Sequence, residues 1–465
     1  MTRLTALTIA IISLCTLTAG ADSATDYWPA WRGADSTGVA PKANPPLEWS
    51  ETKNIKWKAE IIGQGTSSPV VWADKMFYLT AIKTDKKAAP TPNPLPAERA
   101  RNRPPGGQGA FRGMGGRRPG GGGRPFHGGS NPTNIHKFNL VCLDRNTGSL
   151  LWQKTAREVL PHEGHHPTGN FASYSPLTDG AYVWASFGSR GVHCYDMNGN
   201  HKWSRDLGKL TIKMMFGEGA TPALAGDALI VVKDHEGQST IYALDKLTGK
   251  TLWEKPRDEA TSWSTPLPVT VGGTTQVVVS ASGAIRSYDL KTGDVVWQCG
   301  GMTGNVIPHP VIGFDMVFCA SGFRGNALLA IELGRTGDLT GSDAVRWQVG
   351  EATPYVPSPI LYGDKLYVCS TNRAVISCYN AKTGKPYFQK QSLDAVGGIY
   401  ASPVGAADRI YFVGRTGKTQ VIKNSEKFEI LATNILDDEI DASPAIVGDE
   451  MFLKGMKNLY CIAAK

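Results

Sequence analysis

Apolar and β-branched residues occur along the chain in short runs, and a polar phrase that ends in an aromatic residue follows many of them. The runs include Leu140-Val-Cys-Leu, Ile241-Tyr-Ala-Leu and Ile285-Arg-Ser-Tyr. The phrase has the form Asp-x-x-Thr-Gly-x-x-x-Trp, with full copies at 144–152, 245–253 and 289–297 and degenerate copies at 196–203, 332–347 and 380–388. Asp can bond the turn backbone and Gly supplies the positive φ of a tight hairpin. The pattern therefore predicts a strand, a turn and a second strand.

A small residue followed by proline recurs with a regular spacing and sets the number of units. From Pro176 onward the spacing stays in the forties, the repeat length of four-stranded propeller blades. The eight pairs have their prolines at Pro69, Pro176, Pro222, Pro266, Pro310, Pro359, Pro403 and Pro444. The sequence therefore predicts an all-β fold, a single eight-bladed β-propeller of four-stranded antiparallel blades over residues 55–465.

The last unit ends before its Asp/Trp strand, whereas an extra strand precedes the first unit. This extra strand is Asn54-Ile-Lys-Trp57. We expect it to supply the missing outer strand and close the ring, which removes an open sheet edge.

One tryptophan recurs per unit at the end of the phrase or at its equivalent position. These residues are Trp57, Trp152, Trp203, Trp253, Trp297 and Trp347. A large apolar ring at one constant point of each unit predicts core docking between blades rather than a ligand-stacking set.

The N-terminus has the features of a secretory signal. Arg3 precedes an apolar run, and Ala19-Gly20-Ala21 follows as a small-residue cleavage site. We interpret residues 1–21 as a signal peptide and 22–54 as a leader segment, so the protein is expected in the periplasm or outside the cell. Lipidation at Cys15 stays open. The seven other cysteines are expected to be free, buried thiols, with Cys319 and Cys369 as the pair to check.

Residues 85–134 form a Gly/Pro/Arg-rich insertion within the first blade, between predicted strands at 76–80 and 138–143. The formal net charge of the chain is +8, and the stretch 85–130 contributes seven Arg and two Lys against Asp85 and Glu98. This composition predicts a disordered segment. We expect it to be a solvated loop or to bind a polyanion. Nucleic acid is not expected as a partner, since the protein is expected to be exported.

A series of polar residues falls on the predicted loops of one propeller face. The ligand-binding candidates are Arg190, Lys213, Asp234, His235, Glu236, Arg324, Arg373, Arg415 and Lys454. Symmetry would place the cations in a ring around the axial channel, where they would suit carboxylates, phosphates or sulfates. The alternative is that they are ordinary solvated turn tips.

A histidine-rich loop is a weak candidate for a metal site. His162, Glu163, His165 and His166 offer suitable ligand atoms. The spacing is one residue short of the His-Glu-x-x-His helix repeat, and the loop runs into Pro167, so ordinary loop hydrogen bonding is the competing interpretation.

The repeated phrase resembles the tryptophan-docking motif of the propellers built from pyrroloquinoline quinone (PQQ) repeats, and its eight units cover residues 55–465. Trp28-Pro-Ala-Trp31-Arg-Gly33 resembles the leader of secreted members of that superfamily. The resemblance implies the propeller fold. The superfamily includes two functional branches that are candidates for this chain: the quinoprotein alcohol dehydrogenases, and the periplasmic propeller that serves outer-membrane β-barrel assembly.

The dehydrogenase branch implies PQQ with calcium and a disulfide between adjacent cysteines. This chain has no adjacent cysteine pair and no Cys-x-x-Cys-His haem motif. We therefore expect a non-catalytic scaffold of the cell envelope, monomeric, without a cofactor or a transmembrane segment in the mature chain. It would bind an envelope protein or an anionic ligand. The alternatives are a PQQ-dependent oxidoreductase and a protein that binds polyanionic polysaccharide.

Overall fold

The computed structural model describes residues 23–88, 129–370 and 374–464, and these residues form eight β-sheets. Each sheet is built on four antiparallel strands; the closing blade takes one of them from the start of the chain, and blade 4 has an additional fifth strand. The innermost strands of most neighbouring sheets contact one another, including those of the last and first blades, so the sheets form a closed ring. The predicted eight-bladed all-β propeller is confirmed.

The strands are numbered in chain order. Blades 1 to 4 are formed by β2 (Val70–Trp72), β3 (Lys75–Lys87), β4 (Asn134–Asp144) and β5 (Leu150–Val159); β6 (Leu177–Thr178), β7 (Tyr182–Ser186), β8 (Val192–Asp196) and β9 (His201–Arg205); β10 (Ala223–Ala225), β11 (Ala228–Lys233), β12 (Ser239–Asp245) and β13 (Thr251–Arg257); and β14 (Leu267–Val271), β15 (Thr274–Val279), β16 (Ile285–Asp289) and β17 (Val295–Cys299).

Blades 5 to 8 follow the same plan. They are formed by β18 (Val311–Gly313), β19 (Met316–Ser321), β20 (Ala327–Glu332) and β22 (Val345–Val349); β23 (Ile360–Tyr362), β24 (Lys365–Cys369), β25 (Val375–Asn380) and β26 (Pro386–Ser392); β27 (Val404–Ala406), β28 (Arg409–Val413), β29 (Lys418–Lys423) and β30 (Ile430–Ile435); and β31 (Ala445–Val447), β32 (Glu450–Lys454), β33 (Asn458–Ile462) and β1 (Ile55–Glu60). The described residues also contain short 3₁₀ segments at Ala24–Asp26, Gly188–Arg190 and Lys213–Met215.

The ring closes as predicted, because β1 pairs with the last strand of the chain. β1 is antiparallel to β33, with Lys58 opposite Tyr460, and it forms the outer strand of blade 8. The amide of Ala463 also donates to the carbonyl of Asn54 at 3.0 Å. Residues from both ends of the described chain therefore share one sheet.

The central hairpin of blade 1 is longer than predicted. β3 and β4 extend beyond 76–80 and 138–143, with Lys83 opposite His136 and Lys87 opposite Asn134. Ala81, His136 and Phe138 are buried in this extension and Ile82 and Lys137 are half-buried, so the sheet continues to bury side chains past the predicted ends. The predicted signal peptide, with Cys15, and the central part of the insertion, 89–128, lie outside the described residues.

The recurring tryptophans link each blade to the next. The indole of Trp253 in blade 3 donates to the carbonyl of Leu290 in the turn of blade 4 at 2.8 Å. A Cβ added to Gly293 of that turn would lie 2.6 Å from the Trp253 ring, so only glycine allows this approach. The corresponding bonds run from Trp57 to Arg145, from Trp152 to Met197, from Trp203 to Lys246 and from Trp347 to Ala381.

Trp297 of blade 4 is buried differently. Its indole nitrogen has no hydrogen-bond partner among the described residues. The longer turn of blade 5 packs over it through Leu339 and Ala344. The same turn adds a two-residue strand, β21 (Gly337–Asp338), parallel to β17, which makes blade 4 five-stranded.

All seven cysteines among the described residues are free and buried, as expected for small packing residues. Within the described ranges, no helix is long and apolar enough to cross a membrane.

Candidate functional site

A belt of hydroxyl groups joins the blades around the axis. In six of the eight blades, the residue before the recurring proline donates its amide to the side chain of the equivalent residue in the next blade. Ser68 donates to Ser175, Ser175 to Thr221, His309 to Ser358, Ser358 to Ser402, Ser402 to Ser443 and Ser443 back to Ser68, at 2.9–3.0 Å. A hydroxyl side chain at this position therefore supports the contact between neighbouring blades. Blade 5 instead has His309, whose ring contacts the Thr265 carbonyl of blade 4 at 2.9 Å.

A cavity of about 1230 Å³ lies inside this belt. It opens toward the face that carries the connections between blades and the loops joining second and third strands, called here the loop face. In all eight blades the residue two positions before the belt residue lines it, because alternate residues of extended backbone point the same way. These residues are Thr66, Ser173, Gly219, Trp263, Ile307, Val356, Tyr400 and Asp441.

Further aromatic side chains complete the wall of the cavity. Phe216, Phe323 and Tyr355 line it together with Trp263 and Tyr400. Phe323 and Tyr355 stack with their ring centroids 5.1 Å apart. Of this set, the sequence placed Trp263 on a loop-face connection and missed the others, although the position two residues before the small-residue–proline pair would also have identified Tyr400.

The leader segment closes the cavity at its other end. It crosses the opposite face of the ring, with the carbonyl of Pro29 bound to Thr178 of blade 2 and that of Gly38 bound to Gly405 of blade 7. Trp31 reaches the cavity, donates to the Ser443 hydroxyl at 3.0 Å and contacts the His309 ring. The cavity therefore has a floor made by the leader.

Arg32 anchors the leader beside that floor. Its guanidinium donates to the carbonyls of Thr37, Pro359 and Pro403 at 2.7–3.0 Å. Burial lowers the pKa of Arg32 to about 9, because the charged form loses its hydration. Arg32 thus ties the leader to the inner strands of blades 6 and 7.

Backbone with left-handed φ occurs at the rim of the cavity as well as in turns elsewhere among the described residues. Non-glycine residues with left-handed φ of 50–57° lie on or beside the rim at Met214, Met215, Asn305, Arg324, Ala352 and Lys390. Such conformations cost about 1 kcal/mol or more each and are common at ligand-binding sites. The rim geometry supports a functional role for this cavity.

The predicted cations do not form an open ring of charge. Arg190 is buried, donates to the Glu218 carboxylate at 2.8 Å and packs against the Phe138 ring. Lys454 is 1% exposed and donates to the Gly65 carbonyl. Burial lowers the pKa of Lys454 to about 7.

The other candidate cations differ in their surroundings. Arg415 makes a two-pronged ion pair with Asp441 at 2.7 and 3.0 Å, and Lys213 donates to Asn305 at 3.0 Å. Arg324 is exposed and lies over the Phe323 ring. Arg373 lies outside the described residues. Among the described candidates, therefore, Arg324 is the cation that faces solvent at the rim.

The predicted cluster at 234–236 diverges into three separate contacts. Asp234 pairs with buried Arg257 at 2.7 and 3.0 Å. The Nδ1 atom of His235 accepts from the Thr211 amide at 3.1 Å, and Glu236 accepts from the Thr261 hydroxyl at 2.9 Å. These bonds hold loops together and do not converge on one point.

The histidine-rich loop is also bonded into the fold. His162 contacts the Leu210 carbonyl at 2.7 Å, Glu163 accepts from the Ile212 amide at 2.9 Å, His165 contacts the His166 carbonyl at 2.8 Å, and the His166 ring contacts the Thr168 hydroxyl at 2.8 Å. Within the described part of the chain, no group of three His, Cys, Asp or Glu side chains is placed to hold a metal ion.

Comparison with known proteins identifies the family of the chain. A family described as outer membrane protein assembly factor BamB matches residues 136–389, more than half of the sequence. The chain belongs to this family. No curated protein matches the chain in a search by sequence.

Solved structures share the fold at low identity. BamB from Moraxella catarrhalis is 16% identical, with a TM-score of 0.50 over 71% of this chain and 92% of its own. Quinohemoprotein alcohol dehydrogenase from Comamonas testosteroni is 9% identical, with a TM-score of 0.60 over 95% of this chain and 81% of its own. The dehydrogenase ADHIIG from Pseudomonas putida HK5 has a TM-score of 0.58 at 9% identity over the same shares. At this identity the likeness establishes the propeller fold and not an activity.

Proposed function

We propose that this chain is a non-catalytic binding scaffold of the cell envelope, and that its loop-face cavity holds an extended segment of a partner protein. The observation that carries the proposal is the aromatic lining of a cavity to which every blade contributes one residue. Membership of the assembly-factor family supports a protein as the partner.

The chemistry of the wall suits a peptide. Trp263, Phe323, Tyr355 and Tyr400 offer large apolar surfaces that lose little conformational entropy on binding, the usual anchors of protein recognition. Hydroxyl groups of the belt lie below them and can bond backbone amides. The Trp31 floor limits how deeply a ligand enters.

The charges of the cavity argue against an anionic ligand. Glu218, Glu351 and Asp441 line it, and the cations nearest to them are committed to these carboxylates: Arg190 to Glu218, Lys390 to Glu351 and Arg415 to Asp441. Inside the cavity, a bound anion would have to displace a carboxylate from one of these ion pairs, whereas Arg324 stays exposed at the rim. This arrangement supports a neutral or apolar segment in place of the carboxylate, phosphate or sulfate ligands considered from the sequence.

The residues present do not fit PQQ, the cofactor that the fold suggests. PQQ carries carboxylates. The charged residues that line the cavity are mainly carboxylates, and the cations beside them are already paired with these groups. The sequence also lacks the adjacent cysteines of the dehydrogenase branch. We therefore derive no redox step for this cavity.

The test uses the mature chain expected from the sequence, starting at about residue 22, and synthetic peptides of about ten residues with aromatic residues at alternate positions. Calorimetric titration should show saturable binding with a Kd on the order of micromolar. Truncating Phe323 and Tyr355 together to alanine should weaken it by about tenfold or more. The matched control is Phe314→Ala, an exposed aromatic in the turn between β18 and β19.

Equal affinity of the double variant and the unaltered chain would show that the cavity is not the site. Saturable binding of PQQ with Ca²⁺ and turnover of an alcohol with an electron-accepting dye would instead support the dehydrogenase alternative. Binding of a sulfated polysaccharide that depends on residues 89–128 would support the polysaccharide alternative.

A further inference from the structure

The outer strand of blade 1 offers a long open edge. β5 runs over ten residues, Leu150–Val159, and is the last strand of its sheet. The other outer strands contain five to seven residues. The unpaired amide and carbonyl groups of such an edge can bond a further strand.

Two surface grooves flank this edge, one on each face of the blade. The blade-8 groove, about 360 Å³, lies between β1 and blade 1 and is lined by Leu150 and Gln153 of β5. The blade-2 groove, about 400 Å³, lies between blades 1 and 2 and is lined by Lys154, Thr155 and Ala156. A strand added to β5 would direct alternate side chains toward opposite faces of the blade, and hence into the two grooves.

The ring already contains one added strand of this kind. β21 extends blade 4 by pairing with β17, with Gly337 opposite Trp297, and the Leu339 amide donates to the Gln298 carbonyl at 2.8 Å. A short extended segment is thus accommodated at an outer edge between two blades. β5 has no such segment among the described residues.

The blade-2 groove carries positive charge. Lys154 makes no ion pair with any described residue, and His201 lies in the same groove. Arg157 reaches the same side, where its guanidinium donates to the Arg190 carbonyl and lies 3.5 Å from exposed Asp206. An acidic side chain entering this groove would gain charge-assisted hydrogen bonds.

The blade-8 groove combines exposed apolar side chains with polar ones, among them Glu60, Thr147 and Ser149. Leu150 is 53% exposed and Ile62 is 51% exposed, and Tyr78 and Val141 lie deeper in the groove. Its lysine, Lys58, is already paired with Glu51 at 2.9 Å. An aliphatic side chain would cover the exposed apolar surface.

We propose that β5 is a strand-addition site for an extended segment of a partner protein in which acidic and aliphatic residues alternate. The acidic residues enter the blade-2 groove toward Lys154, and the aliphatic residues enter the blade-8 groove. The site is separate from the loop-face cavity, and its test does not depend on the function proposed for that cavity.

The test begins with a ten-residue peptide that alternates aspartate and valine, titrated into the mature chain at 0.15 M salt. Saturable 1:1 binding is expected, and replacing every aspartate by lysine should abolish it. Two further peptides carry N-methyl groups on alternate amides, one on each set of positions. Because a strand pairs through one edge, one N-methylated set should remove binding and the other should leave it.

The protein variants locate the site. Lys154→Glu should weaken binding by about tenfold or more, since it places a like charge in the groove. Lys255→Glu is the matched control: Lys255 occupies the equivalent position two residues after the docking tryptophan of blade 3, and it is already paired with Asp294 at 2.8 Å. Its effect should stay within about twofold.

Equal binding of both N-methylated peptides would show attraction by charge alone, for example to the arginine-rich insertion, and would overturn the proposal. Loss of affinity in Lys255→Glu as large as in Lys154→Glu would do the same. A dimer of the chain in sedimentation that Lys154→Glu dissociates would identify a second copy, rather than a partner protein, as the occupant.

Discussion

At the residue scale, the loop-face side chains act mainly as ties between loops. Arg190 bonds Glu218 from the next connection, and Asp234 bonds Arg257 within blade 3. Lys454 reaches the Gly65 carbonyl in the connection after β1. Loops at the end of a propeller have little core of their own, so buried polar contacts that satisfy each other hold them in place.

Lys454 gives a prediction that depends on pH. Its pKa is about 7 in the folded protein and 10.5 in a model peptide, so between these values the unfolded chain binds more protons than the folded chain. The free energy of unfolding of the wild-type protein, relative to that of Lys454→Met, should therefore rise with pH in this window by up to about 1.4 kcal/mol per pH unit. Urea denaturation of both proteins at about pH 7.5, 8.5 and 9.5, which lie inside this window, measures the difference.

The control for this prediction is Lys457→Met, because Lys457 is exposed on the next turn. Its difference from wild type gives the reference with which the Lys454→Met difference is compared at each pH. A Lys454→Met difference that is also independent of pH would mean that Lys454 stays charged in the folded protein.

At the element scale, the repeating unit is a strand pair whose turn meets the tryptophan of the preceding blade. Gly148, Gly249, Gly293 and Gly384 all have positive φ, and an added Cβ at each would lie within 2.7 Å of that tryptophan ring. The glycine therefore has two roles: it permits the turn, and it permits the close approach. The first role belongs to the hairpin, and the second belongs to the interface between blades.

Two glycine substitutions should separate these roles. Gly448→Ala carries only the conformational cost of a left-handed residue, about 1 kcal/mol, since φ is +58° and no atom lies within 4 Å of its added Cβ. Gly293→Ala adds the contact with Trp253 and should cost about 1–3 kcal/mol more. Urea unfolding, followed by tryptophan fluorescence, measures both. Equal losses of unfolding free energy in the two variants would show that the neighbouring blades move apart at this contact without a measurable cost.

At the scale of the whole molecule, the ring is closed twice. β1 completes blade 8, and the leader crosses from blades 1 and 2 to blades 6 and 7 on the face opposite the cavity mouth. The first closure removes the open edge of β33. The second seals one end of the axial cavity, with Trp31 at the axis and Arg32 beside it.

Two deletions should distinguish the closures. Removing residues 23–48 should leave a folded monomer with a lower Tm, because the deletion removes the buried contacts of Trp28 and Arg32 but leaves blade 8 complete. Removing residues 23–60 exposes the edge of β33 and should cause aggregation. Circular dichroism melting and sedimentation velocity report both outcomes. A monomeric, cooperatively folded chain lacking residues 23–60 would show that β1 is dispensable for closure.

Much of the fold was predictable because its signals are local and repeated. The Asp-x-x-Thr-Gly-x-x-x-Trp phrase specifies a strand pair within one unit, and the small-residue–proline pair marks the start of each inner strand. The strand at Ile55–Glu60 was assigned to blade 8 because a closed ring requires it. The site was harder to predict: Arg190 and Lys454 were recognised as loop-face residues, but their partners were not.

The sequence by itself determined the number of blades, the closure of the ring and the positions of the docking tryptophans, since each follows from a motif that acts within one unit or between neighbours. Only the tertiary structure decided which charges remain free, how the leader seals the axis and which side chains face the cavity. Lys454 and Gly65 are 389 positions apart in the chain, and Arg32 and Pro403 are 371 apart. Contacts of this kind, and the desolvation that they impose, depend on the ring bringing distant segments together.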